Sequence, residues 1–318
     1  MKNARKCIKG FDSNLKCRDF QYEIGKEYKL NENEHVSICQ TGFHAIDEDE
    51  NPLVVFSYYP PVIDGKSSRY CEVEIGGETE KKGEKICGSE IKIVKEIGIK
   101  GVVKAHEEWV KRHNIDNDEN KSHQTGDCSV ASNTGYGSVA SNTGYGSSAS
   151  NTGKYSLASN TGNCSSASNT GDCSVASNTG KYSLASNTGY GSAASNTGNC
   201  SVSSNTGNSS VAFNTGNYSV ASNTGDRSMA SNTGYCSMAS NIGNDSMAEV
   251  SGNGSVAVAT GYGNKVKGAL GCAIVIAERG EWNGVTYPLI GGVFAIVDGV
   301  NVKADTWYTC KDGVLVEE

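Results

Sequence analysis

The sequence lacks the features of several protein classes. No run of 18 or more apolar residues occurs, so we expect no membrane-spanning helix. Residues 1–10 contain Lys and Arg, but no apolar stretch follows them, so we expect no secretion through a classical signal peptide. The formal net charge is −7, without the basic excess of a nucleic-acid-binding protein. We therefore expect neither a nucleic acid nor a membrane as partner.

Metal-binding patterns are also missing. The chain has twelve cysteines but no Cys-x-x-Cys pair, the spacing that is typical of structural zinc sites. Aspartate occurs only sporadically in the repeat described below, whereas calcium-binding repeats need it regularly. The chain is neither small nor visibly secreted, so we expect reduced thiols and no disulfide framework. The sequence predicts no metal and no cofactor.

What is present is one nine-residue phrase, Thr-Gly-x-x-Ser-x-Ala-Ser-Asn, repeated from about Gln124 to Gly261. Its glycines recur every nine residues from Gly126 to Gly261 without a slip. A fixed short period indicates a solenoid. Nine extended residues span about 30 Å, enough for one strand and one turn, so a closed coil needs at least two repeats. We predict a parallel β-solenoid with two repeats per coil; a triangular coil of three repeats is the alternative.

The place within the repeat predicts which side chains face inward. Counted from the repeat glycine, the third, fifth and seventh places hold Ser, Ala and Asn, as in Ser129, Ala131 and Asn133. These three share one face because side chains alternate along a strand. Such small residues fit a thin interior, and we expect the Asn amides to form a hydrogen-bonded ladder. We expect the glycine to supply unusual backbone angles at the corner.

The fourth place after the glycine is variable and often apolar. If this row faces outward, it forms a stripe that can pack against another copy in a homo-oligomer. If it faces inward, it forms the core, and Ser and Ala face water. We favour the outward row, whose candidate interface residues are Val130, Val139, Leu157, Val175 and Leu184.

Cysteines recur within the repeat at Cys128, Cys164, Cys200 and Cys236, each 36 residues after the last. With two repeats per coil they would share one edge, about 9.6 Å apart. That distance is too long for disulfides or a shared metal, and we interpret the spacing as duplication of a segment that carries an unimportant cysteine.

The parts that flank the repeat have a mixed composition. In residues 1–113, alternation predicts strands at 34–39 and 69–75 and two more strands within 86–99. The stretch 52–59 suits a short helix or a buried strand, and 102–113 suits a helix. The fold class is therefore mainly β: an α+β head (1–113), a linker (114–123), the solenoid (124–264) and an antiparallel β cap (265–318). We expect hairpin turns at Asp298-Gly299 and Asp312-Gly313.

The head carries several short motifs: Lys9-Gly10-Phe11-Asp12, Cys17 to Glu23, Gly42-Phe43-His44-Ala45, Asn51-Pro52-Leu53 and Tyr58-Tyr59-Pro60. They resemble an uncharacterised domain family of bacteriophage and prophage genomes, in which the domain often precedes Ala-Ser-x-Thr-Gly repeats and a small C-terminal β segment. The resemblance implies a phage or mobile-element setting, in the bacterial host cytoplasm or in the virion. It implies no activity.

Five polar head residues are candidates for one cleft: Arg18, His44, Tyr58, Glu72 and Glu74. Their order is loosely similar to ADP-ribosyltransferase-type folds, which implies an Arg or His that holds NAD, a stacking Tyr and a Glu that stabilises the transition state. The Ser-Thr-Ser strand of those enzymes is missing, and the two glutamates also fit a solvated strand face. We expect a non-enzymatic binding or structural protein whose head recognises an unknown protein partner and whose solenoid is a rigid spacer or assembly surface. An NAD-using enzyme head is the alternative.

Overall fold

The computed structural model describes residues 4–31, 34–38, 40–60, 62–63, 66–113 and 121–318. The chain divides into two compact units, Met1–Asp116 and Asn117–Glu318. The fold is mainly β, as the repeat and the alternating stretches predict.

The first unit is an antiparallel sheet with two helices among its described residues. A 3-10 turn (Pro52–Val54) leads into α1 (Val55–Tyr58), and α2 spans Gly98–His113. Its strands are β1 (Arg5–Phe11), β2 (Lys16–Cys17), β3 (Phe20–Gln21), β4 (Glu27–Lys29), β5 (Phe43–Asp47), β6 (Val62–Ile63), β7 (Lys66–Ser67), β8 (Arg69–Lys82) and β9 (Lys85–Glu96).

The main sheet of this unit closes into a small barrel. Its strands follow the order β4-β9-β5-β1-β8, and β9 also pairs with β8. Alternation along β8 and β9 turns one apolar row of each strand inward. The buried core contains Phe11, Val73, Ile75, Ile91 and Ile93.

The predicted elements of the head are confirmed except in two places. The strand at 69–75 forms and continues to Lys82, 52–59 takes the helical form, and the predicted helix begins earlier, at Gly98. Two strands were predicted within 86–99, but residues 86–96 belong to the single strand β9, which pairs with β8, and residues 98–99 belong to α2. The strand predicted at 34–39 is wrong for its described residues, in which only the bridge Ser37–Thr41 occurs; Cys39 lies outside them.

The second unit is built from two stacks of short parallel strands. Sheet A contains β10 (Lys121–Gln124), β12 (Val139–Asn142), β14 (Leu157–Asn160), β16 (Val175–Asn178), β18 (Ala193–Asn196), β20 (Val211–Asn214), β22 (Met229–Asn232), β24 (Met247–Val250) and β26 (Lys265–Gly268). Sheet B contains β11 (Val130–Asn133), β13 (Ser148–Asn151), β15 (Ser166–Asn169), β17 (Leu184–Asn187), β19 (Val202–Asn205), β21 (Val220–Asn223), β23 (Met238–Asn241), β25 (Val256–Ala259) and β27 (Ala273–Arg279).

The strand register confirms two repeats per coil. Val139 pairs with Leu157 in sheet A, and Val130 pairs with Ser148 in sheet B, in each case 18 residues apart. The alternative with three repeats per coil is wrong. The solenoid makes about nine turns from residue 122 to residue 276.

The interior is lined by the small residues that the repeat places there. Alanines of the fifth place are fully buried, and Ser of the third place and Asn of the seventh place are buried beside them in most coils. Serine also joins successive coils: the Ser156 N–H donates to Ser174 Oγ at 3.1 Å, and Ser174 Oγ donates to the Gly153 carbonyl at 3.3 Å. These bonds satisfy polar groups that face into the solenoid.

The Asn amides do not form the predicted ladder along the stack. Asn151 Nδ2 donates to the Leu157 carbonyl at 2.6 Å, so each amide crosses the corner to the next strand of its own coil. A ladder exists at the first place after the glycine instead. There, Asn163 Oδ1 accepts the Lys181 N–H at 2.8 Å from the next coil.

The repeat glycine is required by close packing and not, as predicted, by its backbone angles. A Cβ on Gly180 would lie 2.0 Å from the carbonyl oxygen of Gly162, one coil away. Any side chain there would therefore push successive coils apart. The positive φ falls two places later in the repeat, for example 54° at Cys128 and 67° at Gly146.

The two ends of the solenoid differ in detail from the prediction. Lys121–Gln124 already forms a strand of sheet A, so residues 121–123 belong to the solenoid and not to the linker, and 114–120 lie outside the described residues. At the other end, β26 and β27 still pair in parallel with the coil before them. The antiparallel cap consists of β28 (Leu289–Ile296) on sheet B and of β29 (Tyr308–Lys311) and β30 (Val314–Glu317) on sheet A.

One of the two predicted hairpin turns is confirmed. Asp312-Gly313 joins the paired strands β29 and β30. Asp298-Gly299 is a turn, but it joins β28 in sheet B to β29 in sheet A and makes no hairpin. Asp298 Oδ1 accepts three backbone N–H groups there, from Val300, Asn301 and Val302, and thereby reverses the chain.

Candidate functional site

A cavity of about 930 Å³ opens in the first unit. Arg18, His44 and Tyr58 line it, so three of the five predicted site residues come together. Glu72 and Glu74 are not among its lining residues. They lie on β8, where they alternate with core residues, and Glu72 pairs with Lys95 at 3.2 Å.

Lys9 also lines the cavity, although it was not among the residues predicted for the site. It lies on β1 in the same row as Cys7 and Phe11, lines the cavity and is only 5% exposed. Its ammonium group donates to the His44 carbonyl at 2.7 Å and lies 3.4 Å from Cys17 Sγ. The sequence feature that could have pointed to Lys9 is a lysine at an inward-facing position of an alternating strand.

The ammonium group of Lys9 has no counter-charge among the described residues. No described carboxylate forms an ion pair with it, and aromatic rings surround it, with Nζ 5.5 Å from the Phe11 centroid and 5.6 Å from the Tyr22 centroid. Burial lowers its pKa. A buried charge without a counter-charge is costly, so an anion in the cavity would bind favourably.

His44 projects into the cavity from β5. Its Nδ1 lies 3.0 Å from the Gly42 carbonyl oxygen, which can only accept, so Nδ1 carries a hydrogen in this arrangement. Burial and the charge of Lys9 lower the pKa of His44. The ring is therefore held neutral to a lower pH than a free histidine.

Two tyrosines from the end of α1 form another wall. Tyr58 donates a hydrogen bond to Glu84, and Lys85 Nζ lies 3.8 Å from the centroid of its ring. Tyr59 packs so closely on β1 that a Cβ on Gly10 would lie 2.6 Å from the Cβ of Tyr59. Burial is the main cause that raises the pKa of Tyr59. Both tyrosines are therefore held in the wall of the cavity by these contacts.

The described part of the cavity lining has an excess of positive charge. Among the described residues, four cationic side chains line the cavity, Lys9, Arg18, Lys29 and Lys85, against the two carboxylates Asp19 and Glu34. Lys29 is paired with Glu90 at 3.0 Å, outside the lining. Even with Lys29 neutralised, the lining favours an anion.

Two other site classes receive no support from the described part of the chain. Its residues contain no group of three or more His, Cys, Asp or Glu side chains arranged to hold a metal. None of its helices is both long and apolar enough to cross a membrane.

The five predicted interface residues of the solenoid do not form one stripe. Val130 and Leu184 lie on sheet B with exposures of 67% and 43%. Val139, Leu157 and Val175 lie on sheet A, where Leu157 is 5% and Val175 is 0% exposed. The row divides because alternate repeats of a two-repeat coil belong to opposite sheets.

Comparison with protein families finds a match in the first unit. Residues 5–105 match the model of DUF7666, a domain of unknown function. The head is therefore similar to an uncharacterised domain family over these residues. The matched range contains every residue named above as lining the cavity. No curated protein and no solved structure matches the chain.

Proposed function

We propose that the DUF7666 head is a binding module for an anionic ligand of about nucleotide size, and that the solenoid is its rigid spacer. The observation that carries this proposal is Lys9, a buried ammonium group without a described counter-charge that lines the cavity. An anionic group of the ligand would supply the missing charge. Arg18 and His44, which line the same cavity, would contact the rest of the anion.

The size and the aromatic walls narrow the class of ligand. A volume of about 930 Å³ lies at the upper end of the usual range for small-molecule sites. Tyr58, Tyr59 and Phe20 line the cavity and would pack against a planar group of the ligand. A phosphate-bearing ligand with a heterocyclic ring combines both features.

The alternative, an NAD-using transferase head, lacks its predicted carboxylates at this cavity, since Glu72 and Glu74 are outside the lining. Asp19 and Glu34 would have to act in their place. Binding without turnover is therefore the function that we propose. The head motifs also support a phage or prophage setting, in the host cytoplasm or in the virion.

Calorimetry on the full chain tests the proposal with ADP-ribose, which carries both phosphates and a ring, and with adenosine and pyrophosphate as its separate parts. We expect ADP-ribose to bind more tightly than either part. Lys9→Met keeps the length of the side chain and removes the charge, and should weaken binding at least tenfold, or about 1.4 kcal/mol. Lys95→Met, at an exposed lysine outside the cavity, is the matched control.

The ligand-free stability gives a second, independent measurement. Lys9→Met should raise the free energy of unfolding by at least about 1 kcal/mol, because a buried charge is removed. If Lys9→Met binds ADP-ribose as the unchanged chain does, or if none of the three probes binds, the proposal is wrong. Release of nicotinamide from NAD by the same sample would favour the enzyme alternative.

A further inference from the structure

The exposed cysteines that the structure describes all lie on one edge of the solenoid. They are Cys128, Cys164, Cys200 and Cys236, and every other described cysteine is buried or half-buried. All four occupy the second place after a repeat glycine, in the turns that lead into sheet B. We call this row the thiol edge. In the turns that lead into sheet A, the one described cysteine at this place is Cys173, which is buried.

Exposed tyrosines alternate with these cysteines. Tyr145, Tyr182 and Tyr218 occupy the turns between them and are exposed. Neighbouring coils are hydrogen-bonded through the turns: the Cys128 N–H donates to the Tyr145 carbonyl at 2.7 Å. Successive cysteines are two coils apart, about 9.6 Å, so they cannot form disulfides with one another within the chain.

The cysteines of the thiol edge stand in strained backbone. Their φ angles lie between 49° and 57°, in the left-handed region. This conformation costs roughly 1–2 kcal/mol for a residue with a Cβ. Glycine occupies the same place in other coils, for example Gly137 and Gly146. Tyr182 and Tyr218 share this conformation at the same place of the turns between the cysteines, so it belongs to the turn and not to cysteine alone.

We propose that the thiol edge docks against the thiol edge of a second copy of this chain, and that oxidation links the facing cysteines. Because the four cysteines are equally spaced along the edge, each can face a cysteine of the second copy, whether the two copies run parallel or antiparallel. In an antiparallel pair Cys128 faces Cys236 and Cys164 faces Cys200; in a parallel pair each cysteine faces its own counterpart. The proposal does not depend on the ligand of the head.

The side chains between the thiols suit an interface between two identical edges. No charged residue occupies the second place of the turns on the thiol edge, whereas the opposite edge has Arg227 and Asp245 there. Like charges are therefore absent at this second place, whereas at the first place of the same turns the thiol edge carries Asp127 and Lys181, and Lys181 would face its own counterpart in either orientation. Tyrosine is enriched at protein interfaces, where its ring packs and its hydroxyl group stays hydrated.

Oxidised glutathione is a suitable oxidant for the link. One protein thiolate attacks a sulfur of the glutathione disulfide, forms a mixed disulfide and releases one glutathione thiolate. The thiolate of the facing copy then attacks the protein sulfur and releases the second glutathione. Two protein thiols are oxidised to one disulfide, and one glutathione disulfide is reduced to two thiols, which take up the two protons.

The test treats the full chain with oxidised glutathione and measures its mass on a denaturing gel without reductant. We expect a discrete doubling of the mass that added reductant reverses. The edge variant, with all four cysteines changed to Gly, should stay at the mass of one chain. Cys173→Gly, at the same turn position on the opposite edge, is the matched control and should still double.

Folding of the edge variant is checked by its melting temperature, which should not fall, because glycine adopts the left-handed conformation without strain. Peptide mapping of the linked protein then gives the orientation: Cys128–Cys236 with Cys164–Cys200 for antiparallel copies, or like with like for parallel copies. The proposal is overturned if oxidation only adds glutathione to single chains, if the edge variant still doubles, or if a ladder of higher multimers forms.

Discussion

A buried histidine makes the stability of the head depend on pH. His106 lies on α2 and is fully buried, with its Nδ1 2.9 Å from Asn51 Oδ1 and its ring stacked on Trp109 at 5.9 Å between centroids. The carbonyl oxygen of Asn51 also accepts the Leu53 N–H at 2.9 Å, at the start of the 3-10 turn. The neutral imidazole therefore joins α2 to this turn. Burial lowers the pKa of His106 from 6.5 to about 3.

The sign of the effect follows from this shift. The unfolded chain, with a histidine pKa of 6.5, binds a proton more readily than the folded chain. The contribution of His106 to stability is therefore complete above pH 6.5 and is lost as the pH falls from 6.5 towards 3. Each pH unit in this window costs about 1.4 kcal/mol, so about 2 kcal/mol is lost between pH 7.5 and pH 5.

Urea unfolding at both pH values, followed by Trp109 fluorescence in a Trp282→Phe, Trp307→Phe background, measures this loss. His106→Gln keeps an amide donor that can reach Asn51 but does not titrate, so its loss should be smaller by about 2 kcal/mol. His35→Gln, at an exposed histidine, should behave like the unchanged background. Protonation of His44 contributes equally to the loss of stability in the background and in both histidine variants. An equal loss of stability in His106→Gln and in the background would refute the reasoning.

Further predictions concern the solenoid. Gly180→Ala should separate two coils and lower the melting temperature sharply, whereas Gly137→Asn, at a left-handed glycine with open space around its Cβ position, should cost less than about 1 kcal/mol by thermal unfolding. Ala176→Leu should destabilise the chain by about 1–3 kcal/mol in urea unfolding, because the added carbons have no room between the two sheets. If the exposed part of the apolar row also binds a second copy, Val130→Lys with Leu184→Lys should reduce the mass measured by light scattering on the reduced protein; an unchanged mass contradicts a role for this row.

The coil could be predicted from the sequence because the repeat is a local pattern. Nine residues allow one strand and one turn, and Ser, Ala and Asn at alternate places indicate one small-residue face. The roles of particular side chains could not be predicted in the same way. Glycine is required at position 180 because a side chain there would collide with the carbonyl group of Gly162, 18 residues away. The amide of Asn151 donates to a carbonyl group across the corner of its coil.

The candidate site was predicted in part. Arg18, His44 and Tyr58 were identified as polar residues within short motifs, and all three line the cavity. Lys9 was missed because its chemistry depends on burial, which results from closure of the barrel by β8 and β9. The alternation of Glu72 and Glu74 with apolar residues indicated a solvated strand face, and these residues are outside the cavity lining.

The sequence by itself determined the period, the composition of the interior and the recurrence of cysteine every 36 residues, because each is a regularity along the chain. Only the tertiary structure decided which cysteines are exposed, which sheet each apolar residue joins and which cation is buried without a described counter-charge. Accessibility and electrostatic environment depend on groups brought together from distant parts of the chain. Both are decided when the barrel closes and the coils stack.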